Sequence, residues 1–425
     1  MKPTPQEKSW ILYDVANSAF VLIVITTLMP VFFKEYAAFS QPGEVSTWWL
    51  GVANSTASLL LALSAPFLGA AADARQGKKK FLFGFMTVGV LLVFSLMFTQ
   101  HGMWVYCLSV YVGARFFWSG ANIFYDALLH DVTTFQRADR ISARGYAWGY
   151  VGSVIPFLLV LAILLFLKTS EELPAAGVKT GFAIVGIWWV LLSIPLLKTV
   201  HPTQAPINQP SGETGISRLR RTLTSISGNP DIRYFLVAYF FYIDGVNTII
   251  SMASAYGKDI GLDLTTLILA ILMIQVTSFP FTLFYGRLSA RFGTKPMLFT
   301  GIGVYGFISL FAFFLPVFSP PIKTVLFWVL AFLIATSMGG IQALSRSFFM
   351  TLAPPDRSAE YFGFYNMFGK VAAVMGPFLM GLTGKLAGHS RWGVLTMLAF
   401  FLLGAFFLAK VKHTPELFEE NKRRG

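Results

Sequence analysis

The sequence predicts an all-α polytopic membrane protein: twelve transmembrane helices arranged as two pseudo-symmetric six-helix bundles. Three observations carry that expectation. Only 12% of the 425 residues are charged and 55% are hydrophobic, about half the charge of an average soluble domain. The mean hydropathy is +0.63. Apolar runs of about 20 residues, the length a helix needs to cross the hydrocarbon, recur twelve times along the chain. The first six and the last six echo one another.

The runs lie near 10–33, 47–72, 81–100, 103–129, 144–167, 180–199, 233–254, 263–286, 296–317, 323–350, 359–384 and 391–410. Strands of an outer-membrane barrel would be about ten residues long and strictly alternating. Leu158 to Leu167 is solidly apolar, and in lipid only helices of that kind satisfy their own backbone groups. The first run follows Lys2 and Lys8, as a signal peptide would. It contains Asp14 and Asn17, is too long, and has no small-residue cleavage pattern behind it, so it reads as the first span.

The longest polar stretch, His201 to Asp231, divides six spans from six. The expected organisation is a first bundle over 1–200, a linker over 201–231, a second bundle over 232–410 and a tail over 411–425. In the linker, a Pro-, Ser-, Gly- and Asn-rich piece, Gln204 to Ser217, precedes Arg218, Arg220 and Arg221. That basic piece reads equally as a helix lying on anionic headgroups or as solvated chain. With the N-terminus inside, 23 of the 33 Lys and Arg fall on the inner side and seven in the outer loops. Both termini are therefore expected in the cytoplasm, in the inner (plasma) membrane of a bacterium. The net charge of +13 is then an orientation signal, and no nucleic-acid partner is expected.

Chemistry-bearing patterns of other classes are missing from the sequence. The single cysteine, Cys107, allows no thiolate cage and no internal disulfide. The five histidines have no ligand spacing, so neither metal nor cofactor is expected. No phosphate-binding loop of the G-x-x-x-x-G-K-S/T kind is present, and no Asp, Glu and His cluster marks a membrane-embedded transferase. The chain does not read as an enzyme. Trp48, Trp49, Trp188 and Trp189 read as interfacial anchors.

The halves repeat in four places. Asp14-x-x-Asn17 returns as Asp244-x-x-Asn247, and Gly69, Asp73, Gly77 and Lys80 return as Gly286, Arg291, Gly293 and Lys295. Gly120-x-Asn122 with Asp126 matches Gly340-x-Gln342 with Arg346, and Arg140 to Gly145 with Pro156 matches Arg357 to Gly363 with Pro377. Four echoes in the same order argue for a duplicated six-helix unit.

The loop Gly69-Ala-Ala-Ala-Asp73-Ala-Arg75-Gln-Gly77-Lys78-Lys79-Lys80 resembles the G-x-x-x-D-R-x-G-R-R signature of the major facilitator superfamily, with one extra residue between Asp and the second Gly. Its second copy has Ala290 in place of the Asp. Further stretches are similar to the family of autophagy-associated vacuolar amino-acid effluxers and their bacterial relatives: Ser9-Trp10-x-x-Tyr13-Asp14-x-Ala16-Asn17-Ser18, Tyr242-Ile-Asp244-Gly245-Val-Asn247-Thr248, Gln342-Ala-Leu-Ser345-Arg346-Ser347 and Gly363-x-Tyr365-x-x-x-Gly369-Lys370. The resemblance covers nearly the whole chain. It implies a secondary transporter whose two bundles rock about a central cavity lined by spans 1, 4, 7 and 10.

Ionisable residues inside spans are costly and mark functional positions. Six stand there: Asp14, Arg115, Asp126, Asp244, Arg346 and Lys370. Asp14, Asp126 and Arg346 fall about a turn from the inner ends of their spans. Asp126 and Arg346, equivalent positions of opposite charge, read as a pair that closes the inner side, or as a permanent staple. Gly69, Asp73 and Gly77 join them as gating residues. Gly69 permits close approach, Asp73 can accept from the start of span 11 or from a basic partner, and Gly77 makes the turn. Gly376-Pro377 and Pro156 read as bend points.

Arg115, Asp244 and Lys370 fall near mid-span. Arg115, Ser119, Asn122 and Asp126 form one polar stripe, and Asp244, Asn247, Thr248 and Ser251 another. With Asn17, these residues predict a substrate site: Arg115 or Lys370 for a carboxylate, and Asp244 with Asn247 for an ammonium. The solute would be an amino acid or a similar zwitterion, unless Asp244 and Lys370 merely neutralise each other. Asp14 and Asp244 are the expected sites of proton or cation coupling. The partners expected are a small-molecule substrate and membrane lipids, with the chain a monomer. A membrane receptor that binds a solute without moving it is the alternative.

Overall fold

The computed structural model describes residues 2–167, 174–202 and 215–412. Twelve long helices fill it: α1 (Pro5–Ala37), α2 (Gly43–Ala74), α3 (Lys78–Phe98), α4 (Trp104–Ala127), α5 (Phe135–Leu167), α6 (Ala175–Thr199), α7 (Pro230–Asp259), α8 (Leu264–Phe292), α9 (Thr294–Val317), α10 (Pro320–Leu352), α11 (Ser358–Leu386) and α12 (Ser390–Ala409). Eleven of them are long and apolar enough to cross a membrane. The twelfth, α4, is diluted by Arg115, Asn122 and Asp126 but still runs 24 residues.

Polar residues start three of these helices. At α1, Thr4 and Glu7 form a reciprocal capping box, which satisfies two of the free amides at the helix start. Asn229 accepts from Asp231 and Ile232 at the start of α7, and Asp263 accepts from Thr266 at α8. One departure has no sequence signal. Helix α1 widens to a π-helix over Phe20–Leu28, where the Thr26 and Thr27 hydroxyls donate to carbonyls five residues back.

The duplication governs the packing. Within the first half α1 packs on α5 and α6, α2 on α4, α3 on α4 and α6, and α5 on α6. The second half repeats each pair six helices later, as α7 on α11 and α12, α8 on α10, α9 on α10 and α12, and α11 on α12. Contacts between the halves obey the same rule: α2 against α11 answers α8 against α5, and α4 against α11 answers α10 against α5. The hydrogen bonds and ion pairs that join the halves cluster at one end, at the α2–α3, α4–α5, α8–α9 and α10–α11 turns. The basic residues mark this same end.

Several expectations change. Gly77, expected to make the α2–α3 turn, has φ −116°, and the left-handed position is Gln76 at φ +46°. The extra residue in this loop is thus accommodated just ahead of the glycine. Trp189 is no lipid anchor: it is fully buried against Gly89 and Phe20, because α6 turns that face into the first bundle. Pro156 and Pro377 lie inside α5 and α11 without ending them, which is compatible with a bend at either. Residues Gly215–Gly228 of the linker form a helix whose Thr222 and Ser225 bond Glu360 and Tyr361 at the start of α11, so this piece docks on the second bundle. Linker residues 203–214 and the tail beyond Lys412 lie outside the described residues.

Candidate functional site

Four helices meet at one guanidinium, and a fifth reaches its carboxylate partner. Arg346, in the last two turns of α10, is 2% exposed. Its Nη2 donates to Asp14 Oδ2 of α1 at 3.1 Å, its Nη1 to Asp126 Oδ1 of α4 at 3.3 Å, and its Nε to Ser142 Oγ of α5 at 3.0 Å. The ring centroids of Trp10 and Tyr146 lie 4.5 and 4.4 Å from the guanidinium carbon, within cation–π range. Asn366 of α11 donates to the other oxygen of Asp126 at 3.2 Å. Two carboxylates thus share one buried cation across the halves. Asp14 lies deeper than expected. Because α1 begins at Pro5, nine residues earlier, Asp14 sits about 13 Å along the helix.

The signature loop closes a second contact. Asp73 Oδ2 accepts the backbone N–H of Glu360 at 2.7 Å, at the start of α11 where amides have no partner within the helix. A Cβ on Gly69 would collide with the Ala359 carbonyl, so only glycine allows α2 and α11 to approach this closely.

Mid-span chemistry is different. Arg115 is the twelfth of 24 residues in α4, and Lys370 the thirteenth of 29 in α11. Arg115 donates to Asn54 Oδ1 and, at 3.3 Å, to Tyr111 Oη. The Lys370 Nζ stands 5.3 Å from the Trp118 ring centroid, and Trp118 in turn donates to the Asn17 carbonyl. Asn17 Nδ2 donates to Asn122 Oδ1 at 2.8 Å, tying α1 to α4. Both cations are partly exposed. Among the described residues neither has a carboxylate partner.

A match to the family model "Vacuole effluxer Atg22 like" spans residues 50–415. The chain belongs to the Atg22-like vacuole effluxer family. The chain is 41% identical over 413 residues to an MFS-type transporter of Bacillus subtilis (strain 168), YxiO, covering 96% of this chain and 95% of that one. It is also similar to autophagy-related protein 22 of Saccharomyces cerevisiae, 24% identical over 298 residues, with 62% of this chain and 54% of the yeast protein covered. Among solved structures the fucose:proton symporter FucP of E. coli superposes with a TM-score of 0.72 at 12% identity, over 96% of this chain and 98% of that one. The fold is that of the major facilitator superfamily, and the protein is a multi-pass integral membrane protein of a transporter family.

In this Atg22-like protein the sequence-predicted residues separate into three groups. Asp14, Asp126 and Arg346 come together at the closed end, with Gly69 and Asp73 on the adjoining contact. Asn17, Arg115, Asn122 and Lys370 gather near mid-span. Asp244 belongs to neither group. It is fully buried, its Oδ1 accepts from the backbone N–H of Gly376 at 2.9 Å and from Thr248 Oγ1 at 3.3 Å, and its Oδ2 has no partner. The competing account, neutralisation by Lys370, finds no ion pair between the two among the described residues. The expected ammonium cradle with Asn247 does not form either, because Asp244 turns with Thr248 toward α11 while Asn247 stays partly exposed. The sequence reading missed Ser142, Asn366 and Asn54. A signal existed for Asn366, which stands four residues before Lys370 on the same helical face.

Proposed function

We propose that this Atg22-like protein is a secondary active transporter that moves a small, carboxylate-bearing solute by alternating access, coupled to a proton or cation. The observation that carries the reading is the pair Arg115 and Lys370, one from each half, mid-span and partly exposed, without a carboxylate of their own among the described residues. Unpaired charges at that depth are retained for a ligand or an ion path, and two cations call for an anionic group. An amino acid keeps its carboxylate contact in this reading. Its ammonium would be met by the Asn17 and Asn122 amides and by waters, since Asp244 is occupied by Gly376.

The end that carries Arg346 is taken as cytoplasmic, on the distribution of Lys and Arg, with both termini inside in a bacterial plasma membrane. Closed at that end, the protein presents its solute site to the outside. The coupling site is Asp244: a buried carboxylate with one oxygen unpartnered favours binding a proton or a hard cation there. Asp14, which shares Arg346 with Asp126, is the second candidate.

Flux in proteoliposomes tests this. Purified protein should accumulate radiolabelled amino acids or small carboxylates over a neutral sugar, and Arg115→Gln or Lys370→Gln should raise KM at least tenfold. Transport confined to the neutral sugar would overturn the carboxylate reading. Saturable binding without flux would point to a receptor instead.

A further inference from the structure

The two sides of the closed end should be equivalent under the duplication, and they are not. On the α2–α11 side, Asp73 of the signature loop holds the start of α11. On the α5–α8 side the equivalent position is Ala290, which holds nothing. The backbone approach is nevertheless kept: a Cβ on Gly286 of α8 would collide with Ala143 of α5, as one on Gly69 would with Ala359 of α11. The carboxylate has moved to the facing helix. Asp139, in the first turns of α5, accepts from Thr294 Oγ1 at the start of α9 at 2.7 Å and from Ser347 Oγ of α10 at 2.5 Å. Its own repeat equivalent, Asp356 at the entry to α11, is exposed.

We propose that Asp139 is the second inter-bundle lock of this transporter, replacing the acid that its second signature loop lacks. The polarity of the interface supports the assignment. Asp14, Asp73, Asp126 and Asp139 all belong to the first half, and the groups that donate to them across the interface all belong to the second: Arg346, the Glu360 amide, Asn366, Thr294 and Ser347. An acid at 290 would have set a carboxylate of the second half among the carboxylates of the first. The lock also suits a contact that must open once per cycle. A carboxylate held by the hydroxyls of Thr294, Ser347 and Ser289 gains charge-assisted bonds yet leaves no unpaired cation behind when they part.

The alternating-access reading is needed for the transport consequence, but the lock itself can be read without any substrate. Spin labels at Lys80→Cys and Arg287→Cys, one exposed position on each half, in a Cys107→Ser background, report the separation at the closed end. Asp139→Ala should lower the ratio of short to long distances at least fivefold. The triple variant Thr294→Val, Ser347→Ala and Ser289→Ala should do the same, and adding Asp139→Ala to it should produce no further change, since both remove the same contact. Should Asp139→Ala fail to fold, Asp139→Asn, which keeps the volume and one acceptor oxygen, should give a smaller shift in the same direction. An unchanged distance distribution, or effects that simply add, would overturn the lock. A flux assay that failed while the distances behaved as described would count against the transport reading alone.

Discussion

At the closed end Arg346 is enclosed by Asp14, Asp126, Ser142 and three aromatic rings, whereas at mid-span Arg115 and Lys370 meet, among the described residues, an amide, a phenol and an indole. The residue types are the same and the helices overlap: α4 supplies both Asp126 and Arg115, and α11 both Asn366 and Lys370. What differs is whether the protein supplies the counter-charge. Where it does, the halves hold each other. Where it does not, the proposed function has the counter-charge arrive from solution with the solute. On that reading the supply of a counter-charge distinguishes the proposed gate from the proposed binding site.

Removing the satisfied cation should have the largest effect. Arg346→Ala leaves Asp14 and Asp126 buried without it, and stranding one partner of a buried pair costs about 3–5 kcal/mol. The closed state should become a minor population and transport should fall by at least about 100-fold. Alkylation of a cysteine placed at Ser142 would rise in step. A variant with wild-type flux and an inaccessible position 142 would reduce Arg346 to a staple.

At mid-span the expected effect is smaller and conditional. In a cycle of Arg115→Gln and Lys370→Gln followed by thermal melting, the two residues should be coupled unfavourably without solute, because the two cations repel each other. With a saturating carboxylate ligand the coupling should turn favourable, by about 1–2 kcal/mol, because one anion would bridge them. A coupling that ligand leaves unchanged would mean that no anion bridges them.

The division between the two regions was only partly legible in the sequence. Twelve spans, the duplication and the Asp126 with Arg346 pair follow from hydropathy and repeat spacing, which are local properties. Asp73 reaching the start of α11 was also readable, since a carboxylate beside a glycine-bearing loop meets free amides wherever a helix begins. What spacing could not show is direction around the helix relative to a distant neighbour. Asp244 and Asn247 are three residues apart and read as one face, yet the backbone N–H of Gly376 draws Asp244 away. Asp139 carries no local mark at all, because its meaning depends on the absence of an acid at 290 and on hydroxyls some 150 and 200 residues downstream.

Asp244 offers a test that leaves the architecture in place. Asp244→Asn keeps an acceptor for the Gly376 N–H and the same volume, so stability should change by no more than about 1 kcal/mol. Exchange of solute across the membrane should persist while gradient-driven accumulation falls to the equilibrium ratio. If accumulation survived in this variant, coupling would have to be sought at Asp14.

The smallest effect concerns the remaining ionisable group that bridges the halves at the closed end. His130, in the turn between α4 and α5, contacts the Ala353 carbonyl at 3.3 Å, and burial, with nearby Lys78 adding to it, pushes the imidazole down to about 4 from 6.5. It is therefore neutral in the folded protein at neutral pH, while the unfolded chain takes up a proton near 6.5. The sign follows: this contribution is complete above pH 6.5 and is lost as the pH falls toward 4, at up to about 1.4 kcal/mol per pH unit. His130→Gln should flatten the fall of Tm between pH 6.5 and 5 and leave the pH dependence of flux near neutrality as it was. An altered flux profile in that variant would place a pH sensor at the closed end. A flat response in flux would be in keeping with the proposed coupling site at Asp244.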